Sequence, residues 1–286
     1  MTSLRNSRYS GRSGSLFGGK ARLLVALALV VISIVTYCST TVYNPITEED
    51  QHISLTVDQE IALGLQAVPE MAAEFGGLDP NPQAQAMVDN VGDSLVNSTA
   101  AGDTPYQFEF NLLADDQTIN AFALPGGPVF VTNGLLSHLE TEGQLAGVLA
   151  HEVGHVVARH SAEHIAKAQL TEGLTGAAVI AASDPDHPQS ARQTAALAAV
   201  VGQLVNMKFG RDDELESDRL GVRFMSEAGY DPRSMIRIME ILAASSEGNR
   251  PPEFFSTHPN PERRIEQIQA AIQKEFPNGV PDGLTQ

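Results

Sequence analysis

The chain has 286 residues, 18 basic and 35 acidic, for a formal net charge of −17. All five basic residues before residue 38 (Arg5, Arg8, Arg12, Lys20, Arg22) fall where there is no acid, so the remainder is more acidic still, with 13 basic residues against 35. That balance excludes nucleic acid and an anionic lipid surface as partners of the folded part, and a single cysteine excludes a disulfide framework.

Leu23 to Tyr37 is an apolar run behind a basic stretch, matched in length to a secretory signal core and short for a membrane span. The chain therefore reads as exported, with residues 1–38 a signal peptide and anchor to the membrane through the N-terminus. Cys38 follows directly in Val35-Thr36-Tyr37-Cys38, which resembles the bacterial lipobox and makes Cys38 the expected lipid anchor. Tyr37 stands where Gly, Ala or Ser is usual, so an uncleaved N-terminal anchor is the alternative.

Residues 39–55, polar and containing Pro45, read as an extended tether. A domain is expected over 56–276, mainly α with a small β-sheet (α+β), followed by a tail at 277–286. Thr56 and Gln59 open a helix with Ile61, Leu65 and Ala72 on one face, bent at Pro69 and ended by Gly76-Gly77. A second helix follows Asn81-Pro82, with Met87, Val88, Val91 and Leu95 inward. From Tyr106 to Leu112 apolar and polar residues alternate as in a half-buried strand, and Pro125-Gly126-Gly127 reads as a tight turn between strands at 118–124 and 128–132. This sheet precedes the helix of the next motif. Its edge strand, with Asn120, Ala121, Phe122, Gly126 and Gly127, is placed to receive an extended peptide by backbone pairing.

His151-Glu152-Val153-Gly154-His155 is an HExxH motif on a helix that Thr141 and Gln144 begin. Histidines at i and i+4 share a helix face and can aim at one metal ion. Glu152, one residue on, is where a carboxylate must lie to take a proton from metal-bound water. Beyond it, Gly173 to Ala182 and Ala195 to Val205 read as two small-residue helices joined by a loop at Ser183 to Pro188, each too short to span a bilayer. A membrane-dipping hairpin is the alternative.

A catalytic zinc normally has three protein ligands. Ser161 occupies the position of a metzincin's third histidine, and His160 and His164 read as solvent-side or supporting residues on the same helix. A helix from Asp212 to Gly229 offers Glu214 and Asp218 on one face; one can bind metal while the other accepts a hydrogen bond from a ligand histidine. Glu216, about 200° around that helix from Glu214, reads as pointing away from the site. Two further helices carry Met235, Ile238, Met239 and Leu242, and Ile265, Ile268, Ile272 and Phe276.

Four motifs in order (INAFALPGGPVFV at 119–131, HEVGH at 151–155, ELESD at 214–218, STHPNPERR at 256–264) resemble the CAAX prenyl protease family of zinc metallopeptidases. Within it they are similar to the small bacterial lipoprotein branch related to the beta-barrel assembly-enhancing protease. No tetratricopeptide-type array is found, so docking through such repeats is not expected. The resemblance implies a zincin-like metallopeptidase domain with the active-site helix beside an edge strand. It implies one Zn²⁺ on His151, His155 and Glu214, with Glu152 as catalytic base and Asp218 supporting a ligand. His258 is expected near the metal, as transition-state stabiliser or as a fourth ligand that holds the enzyme latent, and Arg264 in the cleft. The expected activity is endoproteolysis of unfolded or misassembled cell-envelope proteins at the periplasmic face of a bacterial membrane. The competing expectation is a zinc-binding envelope chaperone or scaffold with little turnover.

Overall fold

The computed structural model describes residues 19–182, 208–245, 252–258 and 263–286. Helix α1 (Gly19–Ser39) is, among the described residues, the helix long and apolar enough to cross a membrane. It exposes Leu23, Leu24, Leu27, Val31 and Val35, and carries Cys38 in its last turn.

The expected tether at 39–55 is instead a hairpin, β1 (Thr41–Asn44) antiparallel to β2 (Glu49–His52). It caps helix α5 (Glu142–Val157), whose last carbonyls lack partners within the helix. Asn44 Nδ2 donates to the Val157 carbonyl at 2.8 Å and Gln51 Nε2 to that of Ala158 at 2.6 Å. The segment is polar because it serves as a cap, for carbonyls more than a hundred residues away in sequence.

Helix α2 (Val57–Glu74) has the expected capping box of Thr56 and Gln59 and runs on through Pro69. Its inward face carries Leu63, Gly64, Ala67 and Met71 rather than Leu65, which is exposed. Contact with the 125–127 turn sets this rotation: a Cβ on Gly64 would lie 1.9 Å from the Pro125 carbonyl oxygen. In α3 (Pro82–Asn97), Val88, Val91 and Leu95 are buried, whereas Met87, expected inward, is exposed.

Strands β3 (Glu109–Leu113), β4 (Ala121–Ala123) and β5 (Pro128–Thr132) make a sheet ordered β3-β5-β4, with β5 parallel to β3 and antiparallel to β4. Alternation predicts a start at Tyr106, but pairing begins at Glu109. Phe110, Leu112, Ala121, Val129 and Val131 join the larger core with α3 and α5, while Leu113, Phe122 and Phe130 join a smaller one under α2. With helices on both faces, every residue of β5 is buried.

After one turn at α4 (Asn133–Leu136), α5 is buried on every side from Gly143 to Val157. Thr141 caps it as expected, although Gln144 accepts from the Glu140 N–H instead of closing the box. Helix α6 (His160–Ala182) is continuous where a separate helix is expected from Gly173, and it packs along α1, with Gly173 against Ser33. The other expected helix, Ala195 to Val205, and the loop at 183–188 lie outside the described residues. Helices α7 (Arg211–Glu227), α8 (Ser234–Ala244), α9 (Phe254–Thr257) and α10 (Arg264–Glu275) complete the fold. Ile268 and Ile272 are buried in α10 and Ile265 is exposed. The tail is docked, with Asp231 N–H donating to the Thr285 carbonyl at 2.8 Å.

Candidate metal centre and active site

Helix α7 lies close against α5 because small residues face it. A Cβ on Gly154, inside the HExxH motif, would come within 3.2 Å of the Ser217 backbone. The close approach brings Glu214 and Asp218 to the histidines. His151 Nε2 and His155 Nε2 are 3.1 Å apart, each 3.5 Å from a Glu214 oxygen. From the segment after α9, His258 enters the same cluster, Nδ1 lying 3.0 Å from Glu214 Oε1 and 3.4 Å from His151 Nε2. One donor atom from each of His151, His155, Glu214 and His258 lies within 4.8 Å of the others, and all four residues are buried.

This donor set fits zinc. His258 Nε2 and both Glu152 oxygens are buried without a hydrogen-bond partner, His258 Nε2 and Glu152 Oε1 lying 3.5 Å apart. Buried polar atoms are rarely left so, and a cation among them would supply what they lack.

Burial raises the pKa of Glu152 despite the nearby His258 and His151. Burial also favours neutral Glu214, but the attraction of His258 and the hydrogen bonds from His151 and His258 outweigh it, holding this carboxyl well below its usual range. His155 is pushed well below the ordinary histidine value by burial and by His151. Glu214 is thus ionised and His155 neutral, the protonation states a metal ligand needs.

Asp218 Oδ1 lies 3.0 Å from His151 Nδ1 and accepts its N–H; although burial and Arg264 oppose the charge, hydrogen bonds to Asp218 and Glu214 raise this imidazole's pKa to about 9, so a cation in the cluster would take the place of the Nε2 proton. Of the two carboxylates on the face, Glu214 therefore joins the donors and Asp218 supports one. Arg264, expected in the cleft, is buried behind the ligands instead. Its guanidinium is bidentate on Asp218 and 3.0 Å from Glu214 Oε2, since two buried carboxylates require a cation nearby.

Two groups missed by sequence reasoning close the site. Phe209 stacks on the His155 ring at 4.0 Å between centroids, and Phe254 on His258 at 4.6 Å. His160, read as solvent-side or supporting, is buried with Nδ1 2.9 Å from His155 Nδ1, and its Nε2 is 3.0 Å from Glu216. Because the residues after Val157 do not continue α5, helical periodicity could not have found this contact.

The expected peptide edge is only partly free. Leu124 N–H bonds the Pro128 carbonyl and Thr132 N–H that of Asn120, so alternation turns the backbone groups of Asn120 and Phe122 towards β5 and those of Ala121 and Ala123 away from it, Ala121 being wholly buried and Ala123 partly exposed. Gly126 and Gly127 are not on the edge. They are buried at φ 82° and 132°, where added Cβ atoms would strike Ile61 and Gln107. Beside β4 lies a small cavity of about 30 Å³ lined by Asn120, Phe122, Phe209 and His258.

The sequence model of peptidase family M48 matches residues 82–272, a stretch that contains every candidate ligand. The chain belongs to peptidase family M48. It is 34% identical over 223 residues to the beta-barrel assembly-enhancing protease of Yersinia pestis, covering 74% of this chain and 43% of the relative. The corresponding protease of Escherichia coli is 31% identical over the same shares. The mitochondrial metalloendopeptidase OMA1 of Schizosaccharomyces pombe is 32% identical over 245 residues, covering 85% of this chain and 69% of the relative. The chain thus spans less than half the length of the beta-barrel assembly-enhancing proteases it matches. M48 is a metallopeptidase family, in keeping with the His-His-Glu-His cluster.

Proposed function

We propose that this M48 chain is a zinc-dependent endopeptidase, held by α1 at the periplasmic face of a bacterial membrane, that hydrolyses misfolded or misassembled envelope proteins. The observation that carries the reading is the buried cluster of His151, His155, Glu214 and His258 beside the unpartnered carboxylate of Glu152. A zinc ion held by His151, His155 and Glu214 would supply a Lewis acid that polarises the scissile carbonyl and brings the pKa of bound water to about 7.

Glu152 takes the proton of the attacking water and passes it to the leaving amine, a task suited to a carboxylate whose pKa burial has raised. A buried carboxylate with neither oxygen hydrogen-bonded is costly, and its ionisable neighbour, His258 Nε2, stands 3.5 Å away. That cost argues for a base and against a zinc-binding scaffold without turnover. Ala123, the partly exposed residue of β4, offers the incoming peptide a short stretch of backbone edge.

His258 we assign as a fourth donor that holds the site latent. It lies among the candidate ligands, Nδ1 3.0 Å from Glu214 Oε1, and lines the small cavity beside β4. Arg264 and Asp218 position the ligands rather than touch substrate.

The envelope setting is supported by the names of the bacterial relatives and by α1. Packing of α1 on α6 favours an uncleaved anchor over lipidation, since cleavage before Cys38 would remove most of α1 and bare the flank of α6. The test is zinc content and cleavage of an unfolded polypeptide by the full chain in detergent, with and without chelator. Zinc at one per chain with chelator-sensitive cleavage is expected; zinc without cleavage, even in a His258→Ala variant, would establish the scaffold instead.

A further inference from the structure

Each histidine of the HExxH pair must present Nε2 as a lone pair and carry its proton on Nδ1. For His151 the reason is the adjacent Asp218 carboxylate. No carboxylate touches His155 Nδ1; its neighbour is another imidazole, His160 Nδ1, at 2.9 Å. Between two such nitrogens one must donate and the other accept; Ser217 Oγ, 3.4 Å from His160 Nδ1, can serve either way, so the choice is made on the far side of His160.

There His160 Nε2 faces Glu216 Oε2 at 3.0 Å. An ionised carboxylate only accepts, so His160 carries its proton on Nε2 and offers its Nδ1 lone pair to the Nδ1–H of His155. His155 Nε2 is left unprotonated, 3.1 Å from His151 Nε2 and 3.5 Å from Glu214. The reverse tautomer of His160 would set two lone pairs against each other at Glu216 and turn an N–H of His155 into the donor cluster.

We infer that His160 and Glu216 are positioning residues for metal binding, a two-step support in which Glu216 acts through His160 to fix the proton of His155. The inference rests on the zinc reading of the site. A break in the helix makes it possible. On a continuous helix His160 would lie five residues and about 140° away from His155. Instead α5 ends at Val157, Arg159 adopts φ 58°, and α6 starts at His160 in a new direction. The ion pair of Arg159 with buried Glu60 and its bond to the Leu55 carbonyl hold that reversal. Helix α7 then supplies a donor in Glu214 and a support for each histidine, Asp218 directly and Glu216 through His160.

The structure contains its own control one turn further along α6, where His164 Nε2 pairs with Asp213 Oδ2 at 2.8 Å without touching a ligand. The experiment measures zinc affinity of the full chain in detergent by chelator competition, with thermal unfolding of the chelated protein as a check on folding. Glu216→Gln, which can donate to His160 and reverse the relay, is expected to weaken zinc about 10- to 100-fold. Glu216→Asp should recover part of that loss, and Asp213→Asn should change affinity less than about twofold. Should Glu216→Gln fail to fold, His160→Gln replaces it with the same expectation. Unchanged zinc affinity in a folded Glu216→Gln protein overturns the inference, as does an equal loss in Asp213→Asn. Failure of the unsubstituted chain to bind zinc would instead remove the zinc reading itself.

Discussion

Arg264 grips Asp218 through two hydrogen bonds, Nε to Oδ2 at 2.6 Å and Nη2 to Oδ1 at 2.8 Å, with almost no solvent around either residue. Arg264→Ala would leave Asp218 and Glu214 buried without their cation, a loss of about 3–5 kcal/mol. Arg264→Lys keeps the charge without the fork and should restore only part. Denaturant unfolding of the chelated protein measures both, and an Ala variant as stable as the parent would show that these charges are balanced elsewhere.

Glu152→Gln keeps the shape of the side chain and removes its basicity. Cleavage should fall about 10²- to 10⁴-fold with zinc content unchanged. Single-turnover kinetics beside metal analysis checks this, and retained turnover would move the base to another residue.

His258→Ala removes a donor that the structure places among the ligands. The expected result is faster cleavage with zinc still bound by His151, His155 and Glu214. A lower kcat at full zinc occupancy would instead make His258 a transition-state donor.

Asn44→Ala and Gln51→Ala each strip a buried carbonyl at the end of α5 of its partner, at about 1–3 kcal/mol apiece. Amide hydrogen exchange should accelerate in the last turn of α5 before it changes at Thr141. Unaltered exchange there would mean that the hairpin is not needed to hold the helix end.

Asp231 anchors the docked tail. Burial raises its pKa, but hydrogen bonds from Arg233 and the arginine's charge lower it further, so the folded value is below the unfolded one. The stability it contributes is present above pH about 4 and is lost as pH falls through the folded value. Asp231→Asn should flatten the pH dependence of the unfolding midpoint below pH 4 and leave the ligand cluster untouched. An identical acid limb in the variant would place the titrating group elsewhere.

The choice of Glu214 over Asp218 came from the family resemblance, but helical spacing alone puts His151 with His155 and Glu214 with Asp218, so these candidate donors were legible. The capping residues Thr56, Asn81 and Thr141 were legible for the same reason, their bonds being local. What sequence could not show depends on contacts distant in the chain or on breaks in periodicity. The hairpin at 41–52 looked like a tether because its carbonyl partners are in α5. Arg264 looked like a cleft residue because its distance from the ligands depends on how α10 packs on α7. Glu216 looked idle because the reversal at Arg159 carries His160 to it.

Strand β4 is three residues long; Ala121 and Ala123 turn their backbone groups away from β5, and of the two only Ala123 is partly exposed. An edge this short, with methyl side chains, can ask little of an incoming chain beyond a few residues of extended backbone whose own hydrogen bonds are unmade. It carries almost no information about sequence. A folded protein hides such backbone and a failed one displays it, so under the proposed peptidase reading this short edge would sort polypeptides by whether they have folded, with no need to recognise what they are.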